Sequence, residues 1–296
     1  MSSSVVSSFL MGGLGNQLFQ IFTTIAYGIR YNRKIVFPYS DILTIGIARN
    51  TYWNNLLSSI KMLTTSNVQN GYSNNDLSRF VQYREQGHHY SEIANVQNKE
   101  ITLFGYFQSP LYFEKEKDTI FSLMRLSDSK NKVDDMYPQY HSHNNLRISM
   151  HFRLGDYKNK QDYHPVLPYN YYYNSLMHIS NNIDMSKIVV VFYFCEEEDN
   201  DIVSSMILEL TRCFAGFSFI KVDDTIDDWK QLLIMSNCDH NIIANSSFSW
   251  WGSYLNKSPE KIVCYPSLWF GPAASNNDTR SMFPVAWNKI PVEKID

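Results

Sequence analysis

Long hydrophobic runs are missing from this chain of 296 residues. No 18 consecutive residues are apolar, so the sequence carries no candidate membrane-spanning helix. An excess of positive charge is missing too. The 26 Lys+Arg stand against 29 Asp+Glu, a formal net charge of -3, which leaves no broad basic face for nucleic acid or anionic membrane. Cysteine is scarce and scattered: Cys195, Cys213, Cys238 and Cys264 include no CxxC pair, whereas a zinc site needs clustered Cys or His ligands. Four buried free thiols in a reducing, cytoplasmic setting are the expectation. Residues 1–17 lack a positive start and a small-residue cleavage pattern, so they do not read as a secretion signal. What the chain does have is core material. Hydrophobic residues make up 44% and aromatics 15%, which excludes a largely disordered chain.

The length suggests about two domains. Residues 5–11 read as a strand and Gly12-Gly13-Leu14-Gly15 as a turn. Residues 16–31 read as a helix, because Leu18, Phe19, Phe22, Ala26 and Ile29 recur near helical spacing. Strands at 34–37 and 101–107 and a helix at 112–126 surround an Asn- and Ser-rich stretch over 50–100. Residues 127–145 are polar and are expected to link the domains, which places the division at 1–140 and 141–296. Beyond it, strands at 146–152, 187–194, 217–222, 240–244 and 261–265 alternate with helices at 168–179, 200–213, 227–237 and 248–255. Such alternation implies α/β architecture with a parallel sheet covered on both faces. Two Rossmann-like halves are expected, with ligands beyond the carboxyl ends of the strands.

Three motifs fall at such strand ends. In Gly12-Gly13-Leu14-Gly15-Asn16-Gln17 the glycines permit close backbone approach, and the next helix offers free N–H groups to an anion. The pattern is neither GxGxxG nor a P-loop, and a purely structural turn also accounts for it. In His151-Phe152-Arg153-Leu154-Gly155-Asp156-Tyr157, His151 and Arg153 share one side of an extended end. A guanidinium fork suits a diphosphate, and Asp156 is placed to act as a base. An Arg–Asp structural ion pair is the competing reading. In Asn245-Ser246-Ser247-Phe248-Ser249-Trp250-Trp251-Gly252, hydroxyls at a strand-to-helix junction cap the helix and can donate to phosphate; the tryptophans read as core. Asp199-Asn200-Asp201 is formally a D-x-D that a hard divalent cation would accept. Acidic residues at a helix start also favour the dipole, and that reading is preferred. His88-His89 and His141 with His143 have no carboxylate partners in sequence, so no metal is expected there.

In order, Gly-Gly-Leu-Gly-Asn-Gln-Leu-Phe-Gln at 12–20, His-Phe-Arg-Leu-Gly-Asp-Tyr at 151–157 and Ala-Asn-Ser-Ser-Phe-Ser-Trp-Trp-Gly at 244–252 resemble the α-1,2-fucosyltransferases. These are GDP-fucose-dependent inverting enzymes of glycosyltransferase family 11. The resemblance implies a GT-B-like fold of two facing Rossmann-like domains with the active site in the cleft between them. The first domain lies on the acceptor side, the second binds the GDP-sugar, and neither cofactor nor metal is implied. Arg153 is then on the diphosphate and His151 at the nucleotide. Ser246 and Ser247 lie near the phosphates, with Asn245 and Phe248 in the same site. Gly13, Gly15, Asn16 and Gln17 reach the donor from the first domain, and Asp228 reads the guanine edge. The implied reaction moves L-fucose to a galactoside hydroxyl in α-1,2 linkage with inversion.

Two departures from the family pattern stand out. Phe194-Cys195-Glu196-Glu197 replaces a common Phe-Ser-Asp-Asp, and Leu154 stands where a second arginine is frequent. They leave open a transferase of another nucleotide-activated deoxysugar. A non-catalytic carbohydrate-binding protein on the same scaffold is the remaining alternative.

Overall fold

The computed structural model describes residues 4–141 and 145–292; His143 lies outside them. The chain forms two compact units. One comprises Met1–Ser129 with Asn277–Pro284, the other Lys130–Asn276 with Val285–Asp296. A single crossing at 140 was the expectation from sequence. Instead the first half of the polar stretch is a helix, within which the chain passes from one unit to the other. Its only deeply buried apolar side chains are Leu126 and Val133. Seven residues apart, they share one face, and the polar remainder made the segment look like a linker.

The first unit runs β1 (Val5–Ser8), α1 (Leu14–Arg30), β2 (Lys34–Ile35), β3 (Ile42–Leu43), β4 (Arg49–Asn50), α2 (Asn74–Leu77), β5 (Val81–Arg84), β6 (Glu100–Phe104) and α3 (Lys117–Leu123). Four of these strands form a parallel sheet in the order β2-β1-β6-β5, while β3 and β4 make a small antiparallel hairpin. From β1 the chain moves to β2 on one side, then crosses to β5 at the far edge of the other and comes back to β6 beside β1. The switch point therefore lies between β1 and β6, where ligands of open parallel sheets bind. Helix α1 is buried over most of its length; Phe22 meets Phe113 and Phe121 edge-on at 5.3 and 6.0 Å. Gly28 lets α1 lie against β2, since a Cβ there would come within 2.4 Å of the Ile35 side chain.

Helix α4 (Leu126–Met136) enters the second unit at Lys130, and β7 (Asn145–His151), α5 (Tyr169–Ser180), β8 (Ile188–Phe194), α6 (Asn200–Cys213), β9 (Phe217–Lys221), α7 (Asp228–Ser236), β10 (His240–Ile242), α8 (Ser247–Tyr254), β11 (Val263–Pro266) and β12 (Asn288–Ile290) follow. All six strands run parallel in the order β9-β8-β7-β10-β11-β12. That is the 3-2-1-4-5-6 order of the dinucleotide-binding fold, with its switch point between β7 and β10. The continuous apolar run of β8 suits a strand covered on both faces. The Tyr171 hydroxyl donates to the Ile243 and Cys264 carbonyls at 2.5 and 3.2 Å, tying α5 to the ends of β10 and β11. Trp250 and Trp251 are fully buried, as expected; losing one such indole costs about 3–5 kcal/mol.

Among the described residues no helix is long and apolar enough to cross a membrane. Three of the four free thiols are buried, but Cys213 is exposed at the end of α6, against expectation. Burial pushes the Cys195 thiol up to about 11 and those of Cys238 and Cys264 to about 12. All three remain uncharged near neutral pH.

Candidate active site

At the switch point of the second unit, β7 ends at His151 and the chain continues through Arg153 into a short turn of 3-10 helix, Gly155–Asn159. Arg153 donates to Asp156 Oδ1 at 2.5 Å and through its other terminal nitrogen pairs with Glu196. Its guanidinium lies 5.0 Å from the centroid of the Tyr157 ring, a cation–π contact. Asp156 is shared with Lys160 at 3.1 Å. The ion pair that competed with a catalytic role in the sequence reading is therefore present, and it carries a second carboxylate.

Asp199 organises the turn. Fully buried at the start of α6, it accepts from the Gly155 N–H at 2.7 Å and pairs with Lys158, also at 2.7 Å. Gly155 has φ +35, and a Cβ there would approach Glu196 Oε2 to 2.6 Å. Glycine is favoured by the left-handed conformation, and a side chain there would also push the Glu196 carboxylate aside. Among the described residues, Glu196, Glu198 and Asp199 bring carboxylate oxygens within 4.8 Å of one another. Asp201, the other half of the D-x-D, is not in that group, and Asp199 and Glu196 are already neutralised by Lys158 and Arg153. Through Asp199 and Glu196 the acidic run anchors the Arg153 turn.

Across the switch point, β10 leads into Asn245, Ser246, Ser247 and Phe248. Ser246 caps α8, its Oγ accepting from the Phe248 N–H at 3.3 Å, as the junction motif implied; Ser247 and Phe248 are half-buried beside it. Asn245 is buried, its amide donating to the Pro165 and Trp269 carbonyls at 2.9 and 3.3 Å. Two contacts join the strand ends. The Tyr157 hydroxyl donates to the Asn245 carbonyl at 3.2 Å, and the His151 and Phe248 rings lie 5.6 Å apart. His151 is buried, and burial, with the Arg153 charge adding to it, pulls its pKa down to about 3. In this structure it is a neutral imidazole near pH 7. Asp228 is placed differently. It is exposed in the first turn of α7, its Oδ1 accepting from the Trp229 N–H. It follows β9, two strands and hence roughly 10 Å across the sheet from β7.

Gly13, Gly15, Asn16 and Gln17 all lie in the first unit, at the start of α1. Gly13 is the N-cap, and space around its Cα is open. The turn itself depends on Gly12, at φ +79. Amides hold it together. Gln17 donates to the Gly12 and Asn50 carbonyls at 3.0 and 2.9 Å, and Gln20 both accepts from and donates to the Met11 backbone. Asn16 accepts from the Gln108 amide at 2.9 Å. Sequence reading missed Tyr157, Lys158, Glu196 and Gln108 as site members. Tyr157 lay inside a quoted motif, whereas Gln108 had only its place after a strand to mark it.

The family model described as glycosyl transferase family 11 matches residues 9–290. The chain belongs to glycosyl transferase family 11. The resemblance carried by the three motifs is thereby borne out. Two curated relatives come from Escherichia coli. The O-antigen biosynthesis glycosyltransferase WbnK is 30% identical over 187 residues, 60% of this chain but only 57% of that protein. The alpha-1,2-colitosyltransferase is 24% identical over 301 residues, covering 90% of this chain and 93% of that one. Among solved structures, a mutant of Arabidopsis thaliana FUT1 in complex with GDP aligns with a TM-score of 0.52 at 14% identity, covering 96% of this chain and 75% of that one. That likeness concerns fold. It agrees with the GT-B-like α/β expectation for this family 11 glycosyltransferase.

Proposed function

We propose that this chain transfers L-fucose from GDP-fucose to a galactoside hydroxyl in α-1,2 linkage, with inversion and without a metal ion. The observation that carries the reading is Arg153 at the carboxyl end of β7, at the switch point of a sheet with dinucleotide-binding strand order. Negative charge builds on the departing diphosphate as the sugar becomes oxocarbenium-like. A guanidinium fork and the α8 N-terminus with Ser246 and Ser247 are suited to receive that charge. In this structure both terminal nitrogens of Arg153 are held by carboxylates. A diphosphate therefore binds by exchanging places with Glu196 and Asp156. Asp156, released from Arg153, becomes the base that takes the acceptor proton. The neutral amides of the first unit, Asn16 foremost, match the hydroxyls of a sugar rather than phosphate charge. The three buried free thiols fit a reducing, cytoplasmic setting.

A second reading has one observation in its favour: the relative that aligns along most of this chain is named for colitose, a deoxysugar with one ring hydroxyl fewer than fucose. A donor screen separates the two. GDP-fucose and GDP-colitose are each incubated with lactose-type acceptors in EDTA, and the product linkage is determined by NMR. Fucose transfer to the galactose 2-hydroxyl is expected. Exclusive use of GDP-colitose would move the assignment to the second reading, and activity restored only by Mn²⁺ would overturn metal independence.

A further inference from the structure

Both strands that flank the switch point of the first unit deliver an amide to the same place. After β1 comes Asn16, in the first turn of α1; after β6 comes Gln108. Gln108 Nε2 donates to Asn16 Oδ1 at 2.9 Å. The nitrogen of the Asn16 amide lies over Gly12, where a Cβ would come within 2.5 Å of it. One end of this amide is thus tied and the other is seated against the left-handed glycine.

Gln108 does not reach that position by ordinary strand geometry. Phe107, the residue before it, has φ +53, a left-handed conformation unfavourable for a bulky L-residue. Two features hold it. The ring is buried and meets Tyr112 edge-on at 5.3 Å. The Glu85 carboxylate, just past the end of β5, accepts from the Tyr106 N–H at 2.7 Å and the Phe107 N–H at 2.9 Å through one oxygen. Gly105 makes room, since a Cβ there would stand 2.4 Å from the Glu85 Cβ. Three consecutive strand ends, β5, β6 and β1, are linked in series from Glu85 through Phe107 and Gln108 to Asn16.

We propose that Gln108 and Glu85 are positioning residues for sugar transfer. Glu85 clamps the left-handed turn at Phe107, the turn delivers Gln108, and Gln108 fixes the Asn16 amide before substrate arrives. The inference rests on the reading above in which Asn16 meets the donor. A preset amide needs no ordering at the moment of reaction. Its loss should therefore lower turnover rather than nucleotide affinity.

A double-mutant cycle tests this. Gln108→Leu is expected to lower kcat about tenfold, the scale of a small misplacement of a reacting group, with GDP affinity and melting midpoint little changed. Placed on Asn16→Ala, it is expected to lower kcat by less than about twofold, because there is no longer an amide to orient. A full tenfold further loss on that background overturns the proposal. Glu85→Leu should reproduce the Gln108→Leu defect, and Glu85→Gln, which keeps an acceptor oxygen, should recover most of the rate; equal defects in both contradict the clamp. The side-chain amide resonances of Asn16 give a readout independent of activity. They should shift in Gln108→Leu, and unchanged resonances overturn the proposal. If the unaltered protein transfers neither sugar, the proposed function fails, while the resonances still decide the role of Gln108.

Discussion

The two units solve the same topological problem with opposite chemistry. Each has a parallel sheet with a switch point, and each gathers polar side chains at the carboxyl ends of the strands beside it. In the second unit those side chains are charged and interlocked: Arg153 with Asp156 and Glu196, Lys158 with Asp199, Lys160 with Asp156. In the first they are amides, with Asn16, Gln17, Gln20 and Gln108 bonded to one another or to backbone. A cation at a strand end needs counter-charge to stay in place before its ligand arrives. An amide needs only complementary hydrogen bonds. The contrast supports the proposed reading, in which the second unit takes the diphosphate charge and the first the neutral hydroxyls.

The sharpest way to break that contrast is Arg153→Lys, which keeps the charge and removes the fork. Transfer should fall by roughly 10²–10³-fold, the scale of removing one preorganised transition-state donor, while the thermal midpoint changes little. Near-normal turnover would leave Arg153 as a structural partner of Asp156. Next in size is Asp199→Ala. Losing both the Gly155 N–H and the Lys158 contacts should lower kcat by about tenfold, on the scale of a small displacement of a catalytic group, and depress the melting midpoint in circular dichroism. Restoration of wild-type turnover in this variant by Mn²⁺ would revive the metal reading of the acidic run.

A smaller effect, of opposite sign, is expected from Glu196→Gln. Removing a half-exposed carboxylate that competes for Arg153 should tighten GDP binding about two- to fivefold by calorimetry, the scale of such an ion pair. Weaker binding would mean that Glu196 contacts the nucleotide itself. The smallest effect concerns the first unit. Burial raises the Glu85 pKa above the usual carboxylate value, while the two N–H donors oppose the shift only in part. The native form then keeps its proton where the unfolded chain has lost it. This group's contribution to stability should accordingly fall as pH rises from the ordinary carboxylate value through the raised one. Denaturant titrations of the protein and of Glu85→Gln across that window should diverge in this direction. Parallel curves would show that the surroundings of Glu85 do not raise its pKa.

The alternating series of the second unit was legible because its strands are continuous apolar runs and its helices carry apolar residues at helical spacing. Helix α6 falls where periodicity put it, over residues 200–213. Helix α4 was not legible, with two buried anchors in a polar segment, and three-residue β12 carried too little pattern to register. At the site, Arg153, Asp156 and Ser246 could be read because their partners are close in sequence. Asp199 was read as half of a D-x-D because its true partners, Gly155 and Lys158, lie more than 40 residues away. Gln108 escaped for the same reason, its partner Asn16 standing 92 residues earlier.

The claim that the second unit bears the nucleotide and the first bears the sugar is tested most directly by GDP titration calorimetry on two variants side by side. Arg153→Lys should weaken GDP binding clearly, whereas Asn16→Ala should bind GDP as the unaltered protein does while transferring sugar more slowly. Loss of GDP affinity in Asn16→Ala with full retention in Arg153→Lys would contradict the division of labour.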